Sequence, residues 1–528
     1  MATPWDFGHE LLPDNLDRIA EPLEHAFFRF PCLATAGIKT VINGPFTFAP
    51  DGNPLVGPVP GLKGFWSACA VMAGFSQGGG VGKILAEWMI QGEPTMDVFA
   101  MDVARFGTYC TPDFTRLRVM ENYQRRFAIS FPNEELPAGR PLITTPAYAL
   151  WKDQNAVFGA AYGLEHVNYF AAEGDELFET PTFRRSNAFA AIGAECRAVR
   201  NGVGINEIHN FGKYEVSGPG AEAWLDFILA GRMPKPGRLS LSPMLSAKGM
   251  LIGDLSVARI APQRFQITGS SVSQGVHMRW FNEHLPENGV EIRNVSLARI
   301  GFQIAGPRSR DLLARVTGSD VSNDAMKFLS VSEISVGGIA ALINRVTYTG
   351  DLGYEIYVDA ADQVALYEAL SQAGQDLGLK PFGMRAMMSL RLEKAFGSWG
   401  REYRPDYSAA ETGLERFIDF KKADFIGRDA ALAARDNPPP RHLATFVIDA
   451  DDADVWGDEP IWKDGAVVGF VTSGGYAHFV EKSVAIGFVP SAMIAEGAAF
   501  EVEILGQLRA AHLVTEPLFD PSGRRMRT

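Results

Sequence analysis

A chain of 528 residues is too long for one hydrophobic core and should divide into roughly three or four domains. With 46% hydrophobic and 21% charged residues it has ample material for globular cores, and a net charge of −13 argues against nucleic acid or an anionic membrane surface as its main ligand. Cys32, Cys69, Cys110 and Cys196 show no paired spacing, which suggests neither a disulfide framework nor a zinc site, and no metal is expected.

The opening stretch MATPWDFGHELLPDNLDRIAEPL has no basic region followed by an apolar one and is too acidic for a transit peptide. FWSACAVMAGF falls far short of membrane thickness. With the unpaired cysteines, these features lead to the expectation of a cytoplasmic protein. Strand-like runs then alternate with turns at Pro50–Asp51–Gly52–Asn53–Pro54 and Pro58–Val59–Pro60–Gly61, and a further strand-like run, TMDVFAMDVARF, closes the first region near residue 107.

Between those strands lies AVMAGFSQGGGVGKILAEWM, in which a glycine cluster opens an amphipathic helix. Backbone N–H groups at such a start suit an anion or an electron-rich atom. The P-loop pattern fails, because it needs Gly at Gln77 and Ser or Thr at Ile84. The dinucleotide fingerprint fails too, with Lys83 where its last glycine belongs. Tight helix-to-sheet packing is the competing explanation for these glycines.

A connecting region over about 108–180 leads to an internal repeat. YEVSGPGAEAWLDFIL from Tyr214 is echoed by FQIAGPRSRDLLARV from Phe302, each a strand, a Gly-Pro turn and a helix with apolar spacing. Two copies imply a duplicated α+β unit. The proline run DNPPPRH reads as a linker, and the short alternating runs after it predict an all-β barrel or sandwich.

Three clusters carry candidate chemistry. In SPMLSAKGMLIGDLSVARI, Asp254 follows a glycine turn and opens a strand from Leu255, where it either orients a ligand nitrogen and takes up its proton or caps the turn. In RVTYTGDLGYEIYV, Glu355 is either a buried carboxylate suited to two adjacent N–H donors or a solvent-facing strand residue. SLRLEKAFGSWGREYRPD adds Arg391, Glu393, Trp399 and Arg401, which also fit a helix with a salt-bridged face.

The order YTGDLGYEIYV, SLRLEKAFGSWG, ADFIGRDA, VTSGGYAHFVEKSVAIGFVP resembles the folate-binding half of the dimethylglycine and sarcosine dehydrogenase family, itself similar to the aminomethyltransferase T-protein of glycine cleavage. The segment from INGPFTFAPDGNP to KILAEWM resembles the end of that family's FAD-dependent amine oxidase domain. The resemblance implies an α+β protein with four parts. These are a partial flavin domain over 1–107, a connecting region over 108–180, a duplicated T-protein-like folate-binding core over 181–435, and a C-terminal β-barrel over 441–528.

It also implies oxidative demethylation of an N-methylated amino acid with transfer of the one-carbon unit to tetrahydrofolate, within one-carbon metabolism and choline and betaine catabolism. Asp254, Leu255 and Ser256 would lie at the folate nitrogens, with Asp254 catalytic. Tyr348, Glu355, Ile356 and Tyr357 would hold the pterin, and Arg416 stands where relatives carry a tyrosine beside the folate. Ala70, Val71, Met72, Ala73, Gly74 and Phe75 would face the FAD ring. Family members begin with a GxGxxG nucleotide-binding fold, so the expectation here is either a truncated product or a chain served by a separate flavin-carrying subunit, with an electron-transfer flavoprotein as a further partner. A folate-dependent transferase and a non-enzymatic folate-binding module are the alternatives.

Overall fold

The computed structural model describes residues 7–8, 10–45, 47–208 and 211–528; of the opening stretch MATPWDFGHELLPDNLDRIAEPL, residues 1–6 and 9 lie outside them. The front region holds helix α1 (Ala20–Arg29), strands β1 (Leu55–Pro58) and β2 (Trp66–Cys69), and helices α2 (Gly74–Gln91) and α3 (Pro112–Gln124). Its small core gathers Val56, Val81, Ile84, Trp88 and Val98. The run TMDVFAMDVARF forms turns and a short 3-10 helix (Val103–Arg105) instead of the expected strand. The cause is Asp102, which accepts from the Ala104 N–H at 2.8 Å and takes the Arg279 guanidinium at 2.6 and 2.8 Å, so its backbone keeps only an isolated bridge to Val56. A hairpin of β3 (Ala156–Ala161) and β4 (Leu164–Phe170) then leads into the core.

That core runs α4 (Phe189–Asn201), β5 (Val203–Glu207), β6 (Phe211–Ser217), α5 (Ala221–Ile228), β7 (Arg238–Leu245), β8 (Leu251–Ala261), β9 (Arg264–Ser270), α6 (Gln274–Glu283) and β10 (Glu291–Asn294). It continues through β11 (Arg299–Ala305), α7 (Ser309–Val316), β12 (Val331–Val336), β13 (Ile339–Asn344), β14 (Gly353–Asp359), α8 (Gln363–Gly374), β15 (Leu379–Pro381) and α9 (Met384–Glu393). Two sheets result, one ordered β10-β6-β9-β8-β7 and one ordered β12-β13-β14-β11-β5-β15.

The internal repeat is realised as β6–α5 in the first sheet and β11–α7 in the second. Each copy turns at a glycine with positive φ, 120° at Gly218 and 123° at Gly306, where a Cβ would strike a carbonyl oxygen at 2.4 and 2.3 Å. The apolar positions of each copy bury against its own sheet. Trp224, Leu225 and Ile228 pack on Tyr214, Val216, Leu255 and Ile267, whereas Leu312 and Leu313 pack on Phe302, Ile304 and Ile356.

Beyond the proline run, β16 (Arg441–Ile448), β17 (Pro460–Lys463), β18 (Ala466–Ala477), β19 (Lys482–Pro490), β20 (Ala499–Ile504) and β21 (Gln507–Val514) close into a six-stranded barrel, which decides between barrel and sandwich. Closure leaves no unpaired strand edge. Among the described residues, no helix is long and apolar enough to cross a membrane, and no cluster of potential ligands could hold a metal ion.

Candidate folate and flavin sites

Strand alternation sorts the core side chains onto two kinds of face. Phe302, Ile304 and Ile356 of the second sheet point into the helix-covered core, so the side chain of Ile356 is structural. The opposite face carries a cross-strand row. Asn206 of β5 pairs with Gln303 of β11, Gln303 with Glu355 of β14, and Glu355 with Asn344 of β13. All four are buried. Residues in register share a face and interact side by side. Gln303 Nε2 donates to Met387 Sδ of α9 at 3.0 Å, and Asn206 Nδ2 donates to the Phe382 carbonyl at 2.6 Å.

The first sheet answers with a row of its own. Leu255 faces the helices, whereas Ser256 of β8 pairs with Thr268 of β9 and Thr268 with Lys213 of β6. Asp254, two residues before Ser256, shares that polar face. Strand β8 begins at Leu251, three residues ahead of Asp254, so this carboxylate lies within a ladder opposite Pro243 and is not a turn cap. Lys213 donates from Nζ to the carbonyl of Ile208, the residue after β5, at 3.2 Å, so the polar face of the first sheet meets the second sheet at a seam, where the charges of Lys213 and Glu355 act on each other.

Burial governs the electrostatics there. It pushes the Asp254 carboxyl up to about 7. It pushes Glu355 up to about 7 as well, against the Tyr357 hydroxyl, which donates to Glu355 Oε2 at 2.8 Å, and the Lys213 charge. The solvent-facing alternative for Glu355 is thereby removed. Tyr348 and Tyr403 have raised hydroxyl pKa values through burial, with a further push from Asp254, which puts both near that carboxylate. Tyr348 donates to the Gly397 carbonyl at 2.5 Å and lies parallel to Phe396, centroids 6.1 Å apart. Arg416 is exposed on a short 3-10 turn (Leu414–Phe417), its guanidinium 4.9 Å from the Phe417 ring centre and its charge felt by Tyr403.

In the run SLRLEKAFGSWGREYRPD the salt-bridged alternative holds for Arg391 and Glu393, whose ion pairs are buried, whereas Trp399 is half-buried and Arg401 exposed. Arg391 is buried and donates to Glu402 Oε2 at 3.0 Å and Ser473 Oγ at 2.8 Å, tying α9 to the barrel. Glu393 is buried against Arg200 at 2.7 Å. A cavity of about 220 Å³ opens beyond α9 and β18, lined by Arg185, Arg385, Arg401, Tyr476 and His478; Asp254 and Glu355 are not among its lining residues.

At the front, Ala73 caps α2 without a side-chain bond, and Gly74, Gly78, Gly79, Gly80 and Gly82 have open space where a Cβ would be. Helix-to-sheet packing therefore does not explain these glycines. Ala70 adopts φ of 54°, Val71, Met72 and Ala73 are half-buried, and Phe75 is fully exposed beside the uncapped helix start. The Asp102–Arg279 pair and the Arg279 guanidinium, 5.1 Å from the Trp88 ring centre, dock this region onto α6.

Sequence reasoning missed Asn206, Gln303, Asn344 and Lys213. The available signal was an amide residue inside a mostly apolar run, in GINEI, GFQIA and ALINR. Register alone puts three of them in one row with Glu355.

The family model for the GCVT N-terminal domain matches residues 147–422, that for the glycine cleavage T-protein C-terminal barrel domain 441–520, and that for the FAD dependent oxidoreductase central domain 91–145. The chain is 36% identical over 99% of its length to mitochondrial dimethylglycine dehydrogenase of Homo sapiens, covering 61% of that protein. It is 30% identical over 99% of its length to mitochondrial sarcosine dehydrogenase of Homo sapiens, covering 62%. It thus spans about three fifths of the length of these relatives. Among solved structures, aminomethyltransferase T of Bartonella henselae superposes with a TM-score of 0.63 at 22% identity, over 72% of this chain and 98% of that one, which shows a shared fold. The cytoplasmic expectation is corrected by these relatives, which are mitochondrial enzymes. Unpaired cysteines indicate a reducing environment but do not tell one reducing compartment from another.

Proposed function

This chain belongs to the family of the GCVT N-terminal domain, and from that membership we propose that it carries the one-carbon-accepting half of a flavin-dependent oxidative demethylase. Its substrate in this reading is a dimethylglycine-like N-methylated amino acid, and tetrahydrofolate receives the carbon. The observation that supports this most is the seam, where Glu355 sits mid-row among amide side chains opposite the face of Asp254.

The donor set fits a reduced pterin. One edge of that ring offers adjacent N–H donors, and a carboxylate accepts two of them in parallel. Glu355 is already oriented by Tyr357, and Gln303 and Asn344 flank it in register. Tyr348 and Phe396 supply an aromatic wall. Asp254, with a carboxyl near 7, gains or loses a proton at neutral pH and takes up the proton displaced as the new carbon–nitrogen bond closes. Ser256 and the backbone of Leu255 line the same strand.

FAD, when bound, supplies the hydride acceptor for the N-methyl group. Residues 70–75 would receive its ring, since the open space over the glycines allows a close approach and the uncapped N–H groups of α2 favour negative charge. The same reading divides the chain at 1–107, 108–180, 181–435 and 441–528. The chain's protein partner in this reading is an electron-transfer flavoprotein.

The test is calorimetry of the full chain with 5-formyltetrahydrofolate, a stabilised reduced folate. Binding is expected, and Glu355→Gln should weaken it by a charge-assisted hydrogen bond, about 1.5–3 kcal/mol or roughly 10- to 150-fold. No heat and no rise in melting temperature at saturating ligand would contradict the assignment, because a ligand bound only by the folded state must stabilise it.

A further inference from the structure

Lys213 has no place in the chemistry above, yet it is fully buried at the seam. A buried ammonium is costly unless its donors are matched. Its Nζ donates to the carbonyls of Ile208 at 3.2 Å and Phe211 at 3.1 Å, the two ends of the connection from β5 to β6. Two of three donors are thereby used. The Ile208 N–H donates to the Gly301 carbonyl at 3.2 Å, and Gly301 stands opposite Tyr357, whose hydroxyl holds Glu355, so register brings the ammonium to the Glu355 group, and its charge acts on Glu355 and Glu207. Among the described residues these are the charged groups that act on it, with the Tyr357 hydroxyl beside Glu355. Glu207 leans mainly on other partners, accepting from Thr145 Oγ1 at 2.7 Å and Gln363 Nε2 at 2.5 Å.

We infer that Lys213 is a positioning residue for the proposed folate site, holding the Glu355 carboxylate in its charged form so that it can accept the N–H donors of a pterin. The inference rests on the folate reading. A protonated Glu355 loses half of its acceptor capacity and offers a donor toward a donor edge. Burial raises the Glu355 carboxyl to about 7, and the Lys213 charge is one of the influences that oppose this rise. Burial also lowers Lys213 to about 7 against the pull of both glutamates, so the three groups share protons near neutrality. Removing the cation leaves Glu355 more readily protonated and moves the pH needed for binding upward.

The experiment measures the affinity of the full chain for 5-formyltetrahydrofolate from pH 6 to 9.5 in wild type, Lys213→Met, Lys213→Arg and Glu355→Gln. In Lys213→Met the midpoint of the pH dependence should rise by about one unit or more, the usual effect of losing a nearby opposite charge. Affinity at pH 7.5 then falls about 3-fold, approaches a loss of about 10-fold toward pH 6, and recovers as the pH climbs. Lys213→Arg should keep the wild-type midpoint, and Glu355→Gln should lose the dependence. A side chain that only fills space would give uniform weakening with an unmoved midpoint, and that result overturns the inference, as does an equal shift in Lys213→Arg. If Lys213→Met does not fold, Lys213→Gln replaces it in the same comparison. Wild type that binds no folate at any pH overturns the folate reading itself and this inference with it. Wild type that binds, beside a Glu355→Gln variant that keeps the wild-type pH dependence, overturns this inference alone.

Discussion

Asp254→Asn should stabilise the protein while impairing its chemistry. Burial places the native carboxyl near 7, whereas the same side chain in the unfolded chain titrates near 3.9. The folded state therefore holds the proton more tightly. The contribution of this group is fully present below about pH 4 and is lost as the pH rises through 7. Three units correspond to about 4 kcal/mol at pH 8 as an upper limit, and because Asp254 retains some solvent contact about 2 kcal/mol is the working figure. Asparagine keeps the shape and has no charge to bury. At about 2–4 °C per kcal/mol, Asp254→Asn should melt roughly 4–8 °C above wild type at pH 8, with the gap closing toward pH 5. Calorimetric melts of both proteins at pH 5, 6.5 and 8 supply the comparison. Equal melting temperatures at pH 8, or a gap that does not shrink as the pH falls, would refute the buried-acid reasoning.

Other outcomes follow from the same geometry. Asp254→Asn in the complete enzyme should slow one-carbon transfer to folate by on the order of 10²-fold and spare flavin reduction, as stopped-flow traces of the two half-reactions would reveal. Gly306→Ala puts a Cβ 2.3 Å from the Val199 carbonyl oxygen at φ of 123° and should cost at least about 2 kcal/mol in urea unfolding. Arg391→Met leaves Glu402 buried without its cation and should cost about 3–5 kcal/mol, read as a lowered urea midpoint together with easier proteolysis near the 437–440 linker. Arg279→Leu unpairs Asp102 and should loosen the front region, so that limited proteolysis near residue 107 accelerates while the folate affinity of the core stays within about twofold.

The duplicated unit and the barrel were legible because their signals are local: a Gly-Pro turn with apolar helix spacing in one case, alternation between turn residues in the other. The resemblance in YTGDLGYEIYV pointed to Glu355, and the structure buries it. The row around Glu355 was not legible, because Asn206, Gln303 and Asn344 come together only through the pairing of strands far apart in the chain. Lys213 escaped for a related reason: GKYEV reads as a strand with an outward lysine until the second sheet covers that face. Asp254 was misplaced by local reasoning, since the glycine turn before it suggested a cap while β8 already starts at Leu251. The run TMDVFAMDVARF has strand composition, and one side chain, Asp102, diverts it by serving its own backbone and Arg279.

The most direct measurement is a crystal structure of the full chain grown with 5-formyltetrahydrofolate. The expected result is pterin density in the seam, its N–H edge on the Glu355 carboxylate and its reactive nitrogens toward Asp254. A folate seated instead in the cavity beside Arg385 and Arg401, with the seam closed around its own side chains, would contradict the assignment.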